Sequence, residues 1–335
     1  MNITQKISAK LYRESKYLKR DIGHLLGFDE HFYKNARGSR ILIYHGICQK
    51  DHTRFNPIFL KIKTFEQHLQ FYQKYFNVIS LDDFYQGRFS KDKFNVCLTF
   101  DDGYANNHKY VLSLLKKYQT PAAFFITAIR EAGYDILWND FLGMVQKYGP
   151  EKLFYKNEQF YKGEHNKYIS QSGMSLVEIL RSGGFEVKSE MMRLLYPLVP
   201  YRENNPDDED YWLQMSKAQI RELSASPFAT IGSHGYYHND LARIPLNNVS
   251  DEFTRSKKYL ENIIDKPINS LAFPYGSYTR DVVLAAKNTG YDQLLAMAFH
   301  FDEDHADETM KERFTVNPFI SPANQMHATI TASYD

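Results

Sequence analysis

From residue 41 onward the chain alternates short apolar runs with amphipathic stretches. "RILIYHGI" ends in Tyr44, His45 and Gly46. After a loop comes "TFEQHLQFYQKYF", which sets Phe65, Leu69, Tyr72 and Phe76 on one helical face and places Thr64 and Gln67 as a capping box. "FNVCLTF" is the next predicted strand. It leads to a helix with Tyr110, Val111, Leu114, Leu115 and Tyr118 on one side, then to Pro121 and the strand "AAFFIT". Further on, "FATIG" pairs with a helix around Asn248 to Ile264, and "SLAFPYG" with a helix around Thr279 to Lys287. Strands alternating with helices predict a parallel sheet. This many units, with nearly continuous apolar strands, predict an α/β fold closed as a (β/α) barrel. No internal repeat is visible.

Two segments break the rhythm. Residues 1 to about 28 space Ile3, Ile7, Leu11, Leu18, Ile22 and Leu25 along one side of a predicted helix, with Lys6, Lys10, Arg13, Lys16, Lys19 and Arg20 elsewhere on it. Such a helix packs its apolar stripe across the main domain, or lies on a membrane surface. The stretch from about Arg130 to Met215 is rich in Tyr, Lys and Glu, contains "SGMSLVEILRSGG" and ends near the acidic loop "NNPDDED". It reads as a largely helical insertion between two barrel strands, either shaping a cleft or packing outside. The expected organisation is a helical extension over residues 1–40 and a barrel over residues 41–335, with the insertion at about 130–215.

Composition narrows the partners. The 335 residues carry 41 Lys and Arg against 40 Asp and Glu, so no global field favours nucleic acid. No secretory pattern opens the chain, and no apolar run approaches the ~18 residues of a membrane span, so a soluble, cytoplasmic protein without a transmembrane span is expected. Cys48 and Cys97 lack metal-type spacing and read as buried free thiols.

Candidate chemistry sits at strand ends. Asp101 and Asp102 close the run "LTFDD", directly before Gly103. Neighbours on a strand point to opposite faces, so the two acids share a site only where alternation stops, and Gly103 is where it can stop. In parallel barrels the C-terminal strand ends face the active site. The same residues also suit a helix N-cap plus a solvated neighbour. In "TIGSHGYYHND", His234 and His238 stand four apart, the spacing that lets two imidazoles on one helical turn share a metal; a surface or aromatic-packed pair is the plainer reading. Two histidines, one carboxylate and open positions make a catalytic divalent-metal site. In "LAFPYGSY", Pro274, Tyr275 and Gly276 form a turn whose backbone N–H groups could face an oxyanion, or that simply turns the chain.

In this order the three stretches resemble the polysaccharide deacetylase family, carbohydrate esterase family four. "TFDDG" matches the first motif from Thr99 to Gly103. The second, His, Ser or Thr, two free residues and His, keeps its histidines but has Gly235 at the hydroxyl position. The third, Arg, any residue, Pro, Tyr, keeps Pro274 and Tyr275 but has Ala272 for the arginine. The resemblance covers roughly residues 40 to 129 and 226 to 320.

It implies a distorted (β/α) barrel that removes acetyl groups from an N-acetylated saccharide with one divalent metal, most simply Zn2+. Asp102, His234 and His238 would bind the metal, Asp101 would be the general base, and the Tyr275 N–H would help hold the oxyanion. The family's acid histidine follows Leu or Ile by two places. Neither His300 nor His305 fits, whereas Ile43, Tyr44, His45 does, so the chain is similar to a circularly permuted subgroup with His45 as acid. Arg313 could orient the base in place of the missing arginine, and Pro274 is a second substrate-binding or orienting candidate. The departures at Gly235 and Ala272 keep a catalytically silent, metal- or sugar-binding barrel as an alternative, together with a metal amidohydrolase acting on a non-sugar amide.

Overall fold

A computed structural model describes residues 3–54, 56–204 and 206–334; the side chains of Ile3, Thr4, Lys6 and Ile7, and, in the acidic loop, Asn205 and the side chains of Asn204, Pro206 and Asp207, lie outside what it describes. Seven parallel strands carry the molecule: β1 (Ser39–Tyr44), β2 (Phe94–Phe100), β3 (Ala122–Ile126), β4 (Ala229–Ser233), β5 (Ser270–Ala272), β6 (Gln293–Ala296) and β7 (Met310–Thr315). Each pairs with the next in sequence, and β1 pairs with both β2 and β7, which closes the barrel. The short strand Phe76–Val78 adds to the first half of β2. Both faces of the strands are covered, so every residue of β2 is buried and its sequence shows no polar alternation.

Inside the barrel, Ile41, Cys97, Ala123, Phe125, Ala272 and Leu295 form a small apolar layer. The larger core fills the space between the strands and the surrounding helices, where Phe65, Leu69 and Tyr72 turn the face of helix Ile62–Tyr75 inward as the periodicity predicts. That helix starts two residues before Thr64, with Lys61 at its N-cap, so the expected Thr64–Gln67 capping box does not form. Both cysteines are free and buried.

The insertion is less helical than expected. Helices Trp138–Tyr148, Leu176–Ser182 and Phe185–Leu195 flank a three-stranded antiparallel sheet over Lys152–Tyr155, Glu158–Lys162 and Tyr168–Ser170. These elements share their own apolar core, built on Trp138, Phe141, Phe160, Tyr168 and Met191.

The N-terminal helix forms over Ile3–Leu25, but it faces the other way from the packed alternative. Leu11, Leu18, Ile22 and Leu25 are 61%, 61%, 50% and 85% exposed. Attachment runs through the other side. Tyr17 donates to the Tyr334 carbonyl at 2.7 Å, Asp21 accepts from Asn324 at 2.9 Å, and the His24 ring packs 5.4 Å from Phe71. No helix among the described residues is long and apolar enough to cross a membrane.

Candidate metal and catalytic site

At the C-terminal rim of the barrel the chain leaves each strand abruptly. Asp101 continues β2, its N–H donating to the Tyr44 carbonyl at 2.9 Å. Asp102 then takes φ of 75°, and Gly103 follows at 84°. Alternation therefore stops at Asp102 itself, one residue before the glycine, and both carboxylates enter the same buried space. Gly103 is needed for a different reason: a Cβ there would sit 2.8 Å from the Ile126 side chain and 3.2 Å from its Cα. Neither acid caps a helix.

His234 and His238 lie on an irregular loop after β4, not on a helical turn, because Gly235 and His238 adopt φ of 75° and 56°. The loop still folds both imidazoles toward one carboxylate: Nε2 of His234 and of His238 lie 3.4 and 3.2 Å from Asp102 Oδ1. A Ser or Thr at Gly235 would have to hold a left-handed backbone, which accounts locally for the lost hydroxyl. His234 Nδ1 is fixed by the Ala272 carbonyl at 2.8 Å, which leaves Nε2 for a ligand. One ligand atom from each of Asp102, His234 and His238 lies within 4.8 Å of the others, all three side chains buried. Two imidazole nitrogens and one carboxylate oxygen, with the remaining directions unfilled by this chain, fit a catalytic divalent cation.

Asp101 has a different partner. Arg313 of β7, inside the barrel with its guanidinium over the Phe125 ring, donates Nη1 and Nη2 to the two Asp101 oxygens at 2.7 and 2.8 Å. Ala272, in the same interior layer, brings no long side chain into that space. Burial pushes the Asp101 carboxyl up, but the Arg313 and His234 charges and the Arg313 hydrogen bonds outweigh it and hold the group below its ordinary range. Asp102 is held lower still, its burial offset by hydrogen bonds from His234 and His238.

His45 follows β1, whose register pairs Tyr44 with Phe100, so His45 comes out beside Asp101. Burial lowers its pKa against the opposing pull of Asp102 and Asp101. His300 is exposed and stacks on Tyr278 at 4.3 Å, and His305 is exposed against Phe299. Neither joins the cluster. Tyr275, at φ of 59°, lays its ring 4.6 Å from that of His238. Pro274 abuts the histidine loop, with Cγ 3.6 Å from where a Cβ of residue 235 would stand. Asp102, His238 and Tyr275 are thus three left-handed non-glycine residues, one in each motif loop. Each such residue costs about 1–3 kcal/mol, a strain typical of functional sites.

Some neighbours had no signal in the sequence. Asp140 of the insertion is buried, accepts from Tyr104 at 2.9 Å and from Asn56 at 2.7 Å, and is pushed well above the carboxylate range by burial and by the Asp102 charge. It lies in "LWND", a stretch whose apolar spacing suggests only a packed helix.

The polysaccharide deacetylase family model matches residues 89–189 and 201–294, more than half of the chain. The match begins later than expected and runs through much of the insertion, and it leaves His45 and Arg313 outside both segments. Among solved structures, the chain is similar to the Streptococcus pyogenes deacetylase PplD in complex with acetate, at 16% identity over 87% of this chain and 97% of that one, TM-score 0.55. It is similar to IcaB from Ammonifex degensii at 16% identity over 88% and 98%, TM-score 0.54. The putative polysaccharide deacetylase BA0330 from Bacillus anthracis gives 17% identity over 87% and 68%, TM-score 0.54. These likenesses concern the fold. No curated protein matches in sequence.

Proposed function

From the premise that the chain belongs to the polysaccharide deacetylase family, we propose that it hydrolyses the N-acetyl amide of a saccharide, using one divalent cation, Zn2+ as the first candidate, held by Asp102, His234 and His238. The observation that carries this reading is the pairing of a buried His–His–carboxylate set with a second carboxylate, Asp101, kept ionised by a bidentate arginine. A silent barrel has no use for that second, buried and charged neighbour.

The cation would polarise the amide carbonyl and acidify a water. Asp101, its orientation set by Arg313, takes the proton of the attacking water on a carboxylate oxygen. Amines leave poorly, so His45, at the end of the neighbouring strand, gives a proton to the departing nitrogen. The Tyr275 backbone N–H supports the oxyanion, and its left-handed conformation serves to turn that group toward the site. The test is acetate release from a short N-acetylglucosamine oligomer, after chelation and again after adding metal. Release that needs the metal supports the reading. Amide hydrolysis limited to non-sugar substrates would favour the amidohydrolase alternative, and metal binding without any turnover the silent barrel.

We also propose an anionic lipid surface as a partner. The outward stripe of Leu11, Leu18, Ile22 and Leu25 lies on a helix with six basic residues and two acidic ones, in a chain of net charge +1, so the remainder is net acidic. Apolar side chains on a helix that also carries exposed Lys10, Arg13 and Lys19 suit the headgroup boundary. The chain should co-sediment with phosphatidylglycerol vesicles but not with phosphatidylcholine ones, and Leu18→Gln with Ile22→Gln should abolish this. Self-association through the stripe without vesicle binding would refute it.

A further inference from the structure

Three successive residues of the loop that carries His238 are gripped from one side, each by a different helix of the insertion. The Trp138 indole N–H, from helix Trp138–Tyr148, donates to the His238 carbonyl at 3.0 Å. Lys188, from helix Phe185–Leu195, donates to the Asn239 side-chain oxygen, and to the Gly183 carbonyl at 3.0 Å. Arg181, from helix Leu176–Ser182, donates Nη2 and Nε to Asp240 Oδ2 at 2.6 and 3.1 Å, while its guanidinium lies over the Tyr275 ring at 4.7 Å. Trp138, Lys188, Asn239 and Asp240 are all buried. From the other side, Glu252 of helix Leu246–Ile264 accepts from the N–H groups of Tyr236 and Tyr237 at 3.1 and 3.2 Å and from Asn239 Nδ2 at 2.6 Å.

The two metal-site histidines differ in what orients them. His234 has a carbonyl on Nδ1, the usual device that fixes a ligand imidazole. His238 Nδ1 is buried and has no hydrogen-bond partner among the described residues. Apart from the Nε2 contact with Asp102 at 3.2 Å and the Tyr275 ring at 4.6 Å, its direction follows from its backbone, which sits at φ of 56°. A left-handed residue with no glycine freedom keeps that conformation only when its surroundings impose it.

We propose that the insertion acts as a clamp: Trp138, Lys188 and Arg181 are positioning residues that hold residues 238–240 so that His238 Nε2 faces Asp102 and His234. They thereby set the affinity of the site for its divalent cation. This assigns a role to a segment that supplies no ligand itself, and it rests on the metal-site reading above.

The test measures Zn2+ affinity of the metal-stripped full chain by competition with a chromophoric chelator, beside the melting temperature of the metal-free protein. Trp138→Phe keeps an aromatic ring and loses the N–H; Lys188→Met and Arg181→Met keep much of the side-chain volume and lose the donors. Each should weaken Zn2+ binding by about 10- to 100-fold, as loss of an outer-shell partner does. Tyr168→Phe is the control, since it removes hydrogen bonds to the Pro150 and Val145 carbonyls inside the insertion without touching the loop. It should leave Zn2+ affinity unchanged even if it lowers the melting temperature. If the parent binds no metal, the metal-site reading falls and the clamp with it. If the parent binds and the three variants bind equally well, or if Tyr168→Phe weakens binding as much as they do, the clamp alone is overturned.

Discussion

Replacing Arg313 by Met should destabilise the protein and shift its response to acid, in a way that separates this arginine from an ordinary core residue. The Arg313 and Asp101 side chains are 0% and 5% exposed, so the variant leaves a carboxylate in the barrel interior without its bidentate partner. Breaking a buried pair from one side costs about 3–5 kcal/mol. With an unfolding entropy near 2.1 cal/mol/K per residue, 335 residues give roughly 0.7 kcal/mol/K, so the melting temperature should fall by about 4–7 °C. Adding Asp101→Asn removes the stranded charge and should recover most of that loss. The pH dependence has a definite sign. In the parent, Asp101 is held below its ordinary value, so its contribution is complete above the unfolded-state value of about 4 and is lost as pH falls through the lower, folded one. Without Arg313, burial dominates and the carboxyl takes its proton at higher pH. The acidic limb of the pH–activity profile should therefore move upward, and the stability deficit should shrink toward low pH. Thermal melts and urea titrations from pH 4 to 8 would decide the matter. The reasoning fails if Arg313→Met is as stable as the parent, or if the double variant is no better than the single one.

Asp101→Asn should keep its metal but lose most turnover, while His234→Ala should sharply lower metal content; equal metal loss in Asp101→Asn and Asp102→Asn would defeat the division of labour. His45→Ala should lower kcat on the sugar amide by about 10²- to 10⁴-fold and hardly affect an activated aryl acetate, whose leaving group needs no proton. Exposed His300 should tolerate alanine, and a His300→Ala defect equal to that of His45→Ala would overturn the assignment. His68, buried and held neutral by desolvation down to about 3, makes the fold acid-sensitive: the unfolded chain binds a proton below about 6.5 and the native one does not. Its contribution is therefore intact above that pH and lost at up to about 1.4 kcal/mol per unit as pH falls toward 3. His68→Leu should flatten the dependence of the urea midpoint between pH 7 and 4, and parallel curves would show the effect lies elsewhere.

The barrel and most of the candidate site were legible in the chain because their signals are local. An apolar run ends, a carboxylate or histidine follows, and parallel strands bring such ends to one rim. What the sequence left open was relational. Amphipathicity marked the stripe of Leu11, Leu18, Ile22 and Leu25 but could not say what it faces, and Tyr17, Asp21 and His24 turned out to hold the helix down. The histidine spacing predicts a helical turn, whereas positive φ at Gly235 and His238 brings the same rings together on a loop. Arg313 is a candidate substitute on sequence grounds, yet its bond to Asp101 depends on strands far apart in the chain and on the space left at Ala272. The grip of Trp138, Arg181 and Lys188 on residues 238–240 had no local signature at all, since each lies on a helix whose pattern reports only its own packing.

The seam between β1 and β7 has a temporal consequence. His45 leaves the first strand of the barrel and Arg313 belongs to the last, and those two strands pair with each other to complete the ring. A growing chain that has made the Asp101–Asp102 and His234–His238 loops therefore still lacks Arg313, the bidentate partner of Asp101. Domains fold as units while synthesis proceeds from the N-terminus. On the proposed mechanism, the site is complete only once β7 has docked against a strand made some 270 residues before it.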